Sequence, residues 1–356
     1  MAYTTINKST DYFNTLLYTG NDASPRAMTG VGFRPDWLWI KNRTGGNSYE
    51  HRLMDAVRGS NKVLHTSSNA AQNSEEYYTV GSFDSDGWTG RSGTGSQQSV
   101  VGGNDNGYTF VAWNWLAGGG QGSSNTDGSI NTTYTSANTT AGFSISQYTG
   151  TGSNATIGHG LGAVPKWIIV KNLDQNDDWY VYHVSRGATK HIILNSTGTG
   201  GTNSTLWQDT TPTSSVFSIG TNNVVNTSGE KYIAYCFAEK TGYSKFGSYT
   251  GNGDADGTFV YTGFKPALII IKSTGNAENW FIFDNKRPGY NLNANHLNPN
   301  SSTTETASSA NTMDILSNGF KMRATNNGIN RSGDTFIYAA IGQSLVGTNN
   351  TPCTAR

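Results

Sequence analysis

Short apolar runs alternate along the chain with stretches rich in Gly, Ser, Asn and Thr. Three of these runs contain no polar residue, namely 37–40 (WLWI), 167–170 (WIIV) and 268–271 (LIII). A continuous run of four apolar residues, rich in β-branched side chains, is typical of a strand covered on both faces. A proline stands two residues before each run, a position compatible with the start of a strand. The pattern therefore predicts three central strands.

A polar turn follows each predicted central strand, and the chain then becomes apolar again, most clearly at 179–183 (WYVYH) and 280–284 (WFIFD). Two successive strands joined by a short polar turn form a hairpin. Further apolar runs follow at 110–115, 232–237 and 336–341. Residues 49–58 are compatible with a helix, but they align with the strands at 179–183 and 280–284, so we expect a strand there. The pattern predicts an all-β protein made of antiparallel sandwiches.

The same residue types recur at fixed offsets in three places. In each copy a lysine follows a tyrosine by 23 positions, a proline stands six positions before that lysine, and an aromatic residue follows it by eight. Such agreement predicts an internal repeat, with periods of 130 and 101 residues between the three tyrosines. The repeat-defining residues are Tyr18, Pro35 and Lys41 in the first copy, Tyr148, Pro165 and Lys171 in the second, and Tyr249, Pro266 and Lys272 in the third.

The repeat divides the chain into three tandem β-sandwich domains. A unit of about 100 residues can bury a core of its own, so we expect separate, bead-like domains. The stretch between the first two repeats is rich in Gly, Ser, Asn and Thr and is expected to be a flexible linker. The predicted boundaries are 1–117, 141–239 and 240–347 for the first, second and third repeats, 118–140 for the linker and 348–356 for a C-terminal tail.

Charge and cysteine content narrow the class of protein. Lys and Arg together number 24, as do Asp and Glu, so the net charge is zero and no long-range field attracts nucleic acid or an anionic membrane. Cys236 and Cys353 have no metal-ligand spacing and are expected to be free thiols. The first residues lack the pattern of a secretory signal, and no apolar run is long enough to span a bilayer, so we expect synthesis in a cytoplasm.

Candidate chemistry is sparse. The turns at 84–87 (DSDG) and 252–257 (NGDADG) resemble the start of a calcium loop, but Gly263 stands where an EF-hand needs glutamate, so we interpret them as solvated turns, with a bound ion as the alternative. The six histidines show no ligand spacing. Glu50, Asp55, Asp84 and Asp284 are not paired by any sequence pattern, and no Gly-x-Ser-x-Gly turn is present. We therefore predict no catalytic residue, no metal and no cofactor.

Aromatic residues in loops are the candidates for contact with a glycan, although a packed-loop role is the alternative for each of them. We expect the recurring lysines to lie at exposed strand ends, where they pair with a carboxylate or a loop carbonyl in a structural role. The loop candidates are Tyr77, Tyr78, Trp88, Trp207, Tyr243 and Tyr290.

The repeat motif resembles virion proteins of tailed bacteriophages, especially those of marine cyanophages. This resemblance implies jelly-roll, concanavalin-like or laminin-G-like sandwiches and a place on a phage particle. The matching residues are 249–252 (YTGN), 263–266 (GFKP), Ile271, Lys272, Trp280, Asp284, Arg287, 318–320 (NGF), 336–338 (FIY) and 352–356 (PCTAR).

The functional hypothesis is a non-enzymatic structural protein on the exterior of a virion, as a tail fibre, an appendage or a capsid decoration. It would be made in the bacterial cytoplasm, contact other virion proteins as a homo-oligomer and touch host-surface glycan, without binding nucleic acid or inserting into a membrane. The alternatives are a polysaccharide depolymerase and a soluble lectin-like protein. A depolymerase would release reducing ends from glycan, and a glycan array would identify a lectin.

Overall fold

The computed structural model describes residues 4–6, 8–44, 49–74, 79–91 and 103–342, and this part of the chain is all-β. Its strands pair antiparallel in several sheets. The α-helices of this part are four residues long, and none could cross a membrane.

The first repeat opens with a 3-10 turn at Ser9–Asp11. Its strands are β1 Phe13–Thr19, β2 Arg26–Met28, β3 Trp37–Asn42, β4 Arg52–Asp55, β5 Lys62–Val63, β6 Asn73–Ser74, β7 Thr79–Asp84, β8 Gly87–Arg91 and β9 Thr109–Trp115.

The second repeat begins after an additional strand that lies in the predicted linker. The elements are β10 Tyr134–Asn138, β11 Phe143–Thr149, β12 Ala155–Gly158, β13 Pro165–Asn172, β14 Tyr180–His183, β15 Lys190–Ile193, β16 Gly201–Thr202, α1 Ser204–Trp207, β17 Val216–Ile219, α2 Asn223–Asn226 and β18 Lys231–Ala238.

The third repeat has the same succession of strands as the first, with a short helix added before its last strand. Its elements are β19 Ser244–Thr250, β20 Phe259–Tyr261, β21 Pro266–Ser273, β22 Trp280–Asp284, β23 Asn295–His296, β24 Thr306–Ala307, β25 Met313–Leu316, β26 Gly319–Met322, α3 Asn327–Asn330 and β27 Thr335–Gly342.

One sheet of each repeat has the predicted apolar run in its interior. In this sheet the first strand of the repeat, called the opening strand, pairs with its last strand, called the closing strand. The closing strand also pairs with the apolar strand. The other neighbour of the apolar strand is the strand that follows it in the chain. Both neighbours of the apolar strand shield its edges, which explains why a run without polar residues is stable there. The orders are β1-β9-β3-β4, β11-β18-β13-β14 within a seven-stranded sheet, and β19-β27-β21-β22.

A smaller sheet packs over one face of each large sheet. In the first repeat, Leu38 and Ile40 of β3 share an apolar cluster with Trp88 of β8. Equivalent clusters lie in the second and third repeats. Each repeat therefore has two facing layers with apolar side chains between them, as expected for sandwiches.

The opposite faces of the three large sheets share a single apolar cluster. Trp39, Ile169 and Ile270, from β3, β13 and β21, all belong to it and are at most 2% exposed. The expectation that each repeat buries only a core of its own is thus incomplete, since the largest cluster contains side chains from all three. The proposed domain boundaries themselves remain a prediction.

The segment predicted as a flexible linker is part of the sheets, so that prediction was wrong. β10 pairs with β11 along its length, the Gly118 amide donates to Ser136 Oγ at 2.9 Å, and Ile130 is buried against the second repeat. Its hydroxyl and amide side chains bond to neighbouring backbone, whereas the sequence composition suggested exposure to solvent.

Three short helices were not predicted. An asparagine side chain caps each of them, and at α2 and α3 Asn222 and Asn326 accept from the amides of Val224 and Gly328. A helix of four residues is too short to show a 3.6-residue period, which explains why the pattern missed it.

Candidate functional site

The last residue of the strand after each central strand is polar and buried: Asp55 ends β4, His183 ends β14 and Asp284 ends β22. None is more than 1% exposed. A buried charge or imidazole is costly unless it has partners, so its partners indicate its role. In all three cases a partner comes from another repeat.

Asp55 joins the first repeat to the second. Its Oδ2 accepts from Arg58 Nε at 2.5 Å and from the hydroxyl of Tyr235 at 2.7 Å. Arg58 also donates to the carbonyl of Leu53 at 3.0 Å. The carboxylate, the guanidinium and the phenol thus satisfy one another in the interior.

Asp284 joins the third repeat to the first in the same way. Its Oδ2 accepts from Arg287 Nε at 2.6 Å and from Trp113 Nε1 at 3.1 Å. Arg287 also donates to Glu305 at 3.1 Å, and Arg43 of the first repeat donates to both oxygens of Glu305 at 3.0 Å. Burial disfavours the charged form of Glu305, but Arg43 and Arg287 outweigh it and hold the pKa of this carboxyl below its usual range.

His183 joins the second repeat to the third through a neutral group. Its Nε2 lies 3.1 Å from the carbonyl oxygen of Tyr338, and its Nδ1 accepts from the Ser185 amide at 3.2 Å. Since a carbonyl only accepts, Nε2 carries the proton. Burial lowers the pKa of His183 to about 4, so the ring is neutral at pH 7.

A second set of hydrogen bonds joins the same three pairs of repeats. In each, a ring nitrogen of one repeat faces a backbone carbonyl of the preceding one, and the first repeat faces the third, so the contacts form a closed ring. The pairs are Trp179 Nε1 with the His65 carbonyl (3.0 Å), Trp280 Nε1 with the Ile193 carbonyl (2.9 Å) and His51 Nε2 with the Asn298 carbonyl (3.0 Å).

The three recurring lysines are buried, so the prediction that they lie at exposed strand ends was wrong. All are 0% exposed, and each strand continues one residue beyond its lysine. Burial lowers the pKa of Lys41 to about 7 and those of Lys171 and Lys272 to about 8. Each Nζ donates to two carbonyls: Lys41 to Tyr49 (2.6 Å) and Ser302 (2.7 Å), Lys171 to Asn172 (2.7 Å) and Gln175 (3.2 Å), and Lys272 to Thr197 (2.9 Å) and Glu278 (2.8 Å).

The expected loop-carbonyl partners of these lysines are therefore present, but two of the three ammonium groups also cross between repeats. Lys41 reaches Ser302 of the third repeat, and Lys272 reaches Thr197 of the second. A buried ammonium group without its acceptors is costly, so these contacts contribute more than a surface ion pair would.

The other repeat-defining residues hold each sandwich together. The hydroxyls of Tyr148 and Tyr249 donate to the carbonyls of Val225 and Ile329 at 2.8 and 2.6 Å, and that of Tyr18 donates to Gly103 at 2.6 Å. Pro165 and Pro266 are the first residues of β13 and β21, and Pro35 stands two residues before β3.

The acidic turns are occupied by protein partners. Asp256 binds Lys321 at 2.6 Å and Arg323 at 3.2 Å, and Asp84 accepts from the hydroxyls of Ser82 and Thr89 at 2.6 and 2.7 Å. No group of three or more His, Cys, Asp or Glu side chains suited to a metal ion occurs among the described residues. The absence of a catalytic residue or cofactor remains a prediction.

Three of the six aromatic residues considered for glycan contact are buried. Trp88, Trp207 and Tyr243 are 0%, 2% and 2% exposed, so they are unsuitable as surface platforms. They pack inward because the strand β8, the helix α1 and the turn before β19 cover the apolar clusters. Tyr290 is 73% exposed and remains a candidate. Tyr77 and Tyr78 lie outside the described residues.

The exposed large apolar side chains of the described residues all belong to the third repeat. They are Phe259 and Tyr261 on β20 and Tyr290 and Leu292 in the loop after β22, at 44%, 59%, 73% and 50% exposure. The strand β20 was not predicted from the sequence. The alternation of 258–262 (TFVYT) was the available signal, because an inward valine between two aromatic residues places both rings on the outer face.

Cys236 is buried in β18 as a free thiol, and Cys353 lies outside the described residues.

Comparison with protein families gives one match, the domain of unknown function DUF7483, over residues 8–344. This match spans all three copies of the sequence motif. Comparison with curated proteins gives no match.

Proposed function

Since the chain belongs to the DUF7483 family, whose description names no activity, we propose from its architecture and motifs that it is a non-enzymatic structural protein on the exterior of a phage virion. In this proposal the three repeats are concanavalin-like sandwich units related by a pseudo-threefold axis. The protein serves as a tail fibre, an appendage or a capsid decoration. It is made in the host cytoplasm and assembles with other virion proteins.

The observation that carries the proposal is the closed ring of contacts between repeats. Asp55, His183 and Asp284 occupy equivalent positions, and each is bonded to a different neighbouring repeat. Buried polar groups with complete sets of partners favour one fixed arrangement over loosely tethered domains. A fixed body of this kind suits a particle component that keeps its shape outside the cell.

The resemblance of the repeat motif to tailed-phage virion proteins supplies the location. Asp284 and Arg287, which belong to that motif, form the buried ion pair at the junction with the first repeat. The motif thus contains residues needed for the ring, which supports extending the resemblance from sequence to architecture.

Contact with a host-surface glycan is part of the proposal, with Tyr290 as its remaining described candidate from the sequence. An exposed aromatic ring offers a flat apolar face next to a polar hydroxyl. A glycan array with the wild-type protein and Tyr290→Ala tests this part. Binding that is unchanged in the variant assigns the contact elsewhere.

The experiment that tests the main proposal locates the protein. Mass spectrometry of purified particles should identify it among virion proteins, and labelled antibodies should bind intact particles without prior disruption. Absence from purified particles, or labelling only after disruption, contradicts an exterior role. Release of reducing ends from host glycan by the purified protein contradicts the non-enzymatic part and favours the depolymerase alternative.

A further inference from the structure

The protection of the edge strand of the smaller sheet differs among the three repeats. An edge strand exposes unpaired backbone groups that can pair with another chain, and proteins prevent this with charge, proline or a covering segment. In the first repeat the edge strand β2 begins at Arg26 and follows Pro25. In the second, a segment of the chain itself covers the edge. In the third, neither feature is present among the described residues.

The second repeat shows what occupies such an edge. The Ile130 amide donates to the Thr156 carbonyl of β12 at 3.1 Å, and the Thr156 amide donates to Ser129 Oγ at 2.8 Å. The covering segment also lies directly over Gly158, where an added Cβ would approach Asn125 Oδ1 to 1.6 Å. The β12 edge is thus closed by an extended segment, and small side chains leave room for it.

β20 is the equivalent strand of the third repeat, and it carries aromatic residues at these positions. Val260 faces Phe320 as Ile157 faces Phe217, so Phe259 and Tyr261 correspond to Thr156 and Gly158. Both rings are exposed, at 44% and 59%. Large side chains have replaced the small ones that a covering segment would require.

Among the described residues, backbone hydrogen bonds to β20 lie on one of its two edges only. The Met322 amide donates to the Thr258 carbonyl at 3.1 Å, and the Thr262 amide donates to the Asn318 carbonyl at 3.0 Å. Because the pattern alternates along an antiparallel strand, the backbone groups of Thr258, Val260 and Thr262 face β26 and the residue just before it. The backbone groups of Phe259 and Tyr261 therefore point to the open side.

This edge also lacks the residues that normally prevent pairing. Residues 257–263 (GTFVYTG) contain no charged side chain and no proline. Lys321 lies opposite Phe259 on β26, and both it and Arg323 form ion pairs with Asp256, just before β20. With a net charge of zero for the whole chain, no long-range repulsion opposes the approach of a second copy.

We propose that β20 pairs edge to edge with β20 of a second copy of this chain, antiparallel about a twofold axis at Val260. Phe259 then lies opposite Tyr261 of the partner subunit, and the reverse holds on the other side of the axis. Each of these two pairs exchanges two backbone hydrogen bonds, and the two sheets become one continuous sheet across the dimer.

The arrangement uses both features that make β20 unusual. The free N–H and C=O groups are satisfied by the ladder, and the four rings form cross-strand aromatic pairs on the outer face. A glycan stacked on the rings would leave the backbone groups of the edge unused, so a strand is the better occupant. A three-residue strand buries little area, so the dimer is weak in dilute solution and is favoured at high local concentration.

Sedimentation of the full chain over a roughly hundredfold range of concentration tests this inference, because a weak dimer then gains population by mass action. The wild-type protein should pass from monomer to dimer. Phe259→Lys combined with Tyr261→Lys should weaken the dimer about tenfold or more, since a lysine on an edge strand opposes pairing. The matched control is Tyr290→Lys with Leu292→Lys, which removes a similar exposed apolar pair and should leave the dimer intact. Circular dichroism and thermal unfolding establish that both variants are folded.

Three results would overturn the inference: a wild-type protein that stays monomeric throughout, a dimer that survives in the β20 variant, or a dimer lost equally in the control. The same proteins on a glycan array test the other occupant. Glycan binding by a monomeric wild type that is lost only in the β20 variant would assign the two rings to a sugar platform. This test is independent of the particle experiment, because a protein absent from virions can still dimerise through β20.

Discussion

Two of the three junctions between repeats contain a buried carboxylate with an arginine, and the third contains a neutral histidine. Asp55 and Asp284 face donors of a neighbouring repeat, the Tyr235 hydroxyl and Trp113 Nε1. His183 faces an acceptor, the carbonyl of Tyr338. The residue at the end of this strand thus matches the group that the neighbouring repeat presents. A carboxylate acceptor lies opposite a donor, and an imidazole donor lies opposite a carbonyl acceptor.

The difference follows from the closing strands. Trp113 and Tyr235 occupy equivalent places on β9 and β18, where they pair with Trp39 and Ile169, but the third closing strand β27 has Ala339 there, opposite Ile270. Alanine has no donor, so the neighbouring repeat reaches the backbone carbonyl of Tyr338. The residues on the two sides of each junction are therefore complementary in their hydrogen-bonding groups.

The largest expected effect comes from breaking a carboxylate junction. Asp284→Ala should lower the free energy of unfolding by about 3–5 kcal/mol, because Arg287 and Trp113 lose a buried partner. Chemical denaturation measures the change. Asp256→Ala is the control, since this carboxylate is 77% exposed and solvent screens its ion pairs, so the change should have little effect on stability. Equal effects of the two changes would contradict a structural role for the buried junction.

The histidine junction should respond to pH. The pKa of His183 is about 4 when folded, below its ordinary value of 6.5, so the unfolded chain binds the proton more readily. The contribution of this group is therefore present above pH 6.5 and is lost as the pH falls toward 4, by roughly 3 kcal/mol in total. His183→Gln keeps a donor for Tyr338 but cannot be protonated.

Denaturation at several pH values between 7.5 and 4.5 should show wild-type stability falling faster than that of His183→Gln. Other buried histidines titrate in both proteins, so the difference between the two curves isolates this junction. Parallel curves would show that the protonation of His183 does not affect folding.

The smallest expected loss of stability comes from removing the donor that the second repeat presents to the carboxylate of Asp55. Tyr235→Phe removes the donor from the second repeat but leaves Asp55 bonded to Arg58, so we expect a loss of about 1.5–2 kcal/mol. Tyr249→Phe, the control, removes a hydroxyl that donates to a neutral carbonyl within one repeat and should cost about 0.5–1.5 kcal/mol. Thermal unfolding distinguishes them, and a larger loss for Tyr249→Phe would contradict the importance of the charged acceptor.

The sequence was sufficient to predict the all-β class and the buried central strands. Ile169 and Ile270 were expected on such strands and are 1% and 2% exposed. A strand without polar residues is buried on both faces, but its sequence does not indicate which part of the protein covers each face. The same runs could not reveal that one face of each strand belongs to a core shared by all three repeats.

The junctions could not be predicted, because their partners are distant in sequence. Trp113 and Asp284 are 171 positions apart, and no local pattern links them. The three lysines were predicted to be exposed for a different reason. Lysine is rarely buried in proteins, and that general tendency was given more weight than the recurrence of a lysine at the same position of each repeat. Three occurrences at one offset were the available signal, since a solvent-exposed residue has no reason to recur so regularly.

The ring of contacts also determines when the protein can become complete during synthesis. Lys41 bonds to the carbonyl of Ser302, 261 positions further along. The face of the first repeat that belongs to the shared apolar cluster therefore cannot be covered until the third repeat has been synthesised. At translation rates of about 5–20 residues per second, this delay lasts roughly 10 to 50 s. During that interval the tryptophan-rich face of the nascent chain is exposed to other chains, so premature association on the ribosome is a hazard that the finished molecule no longer displays.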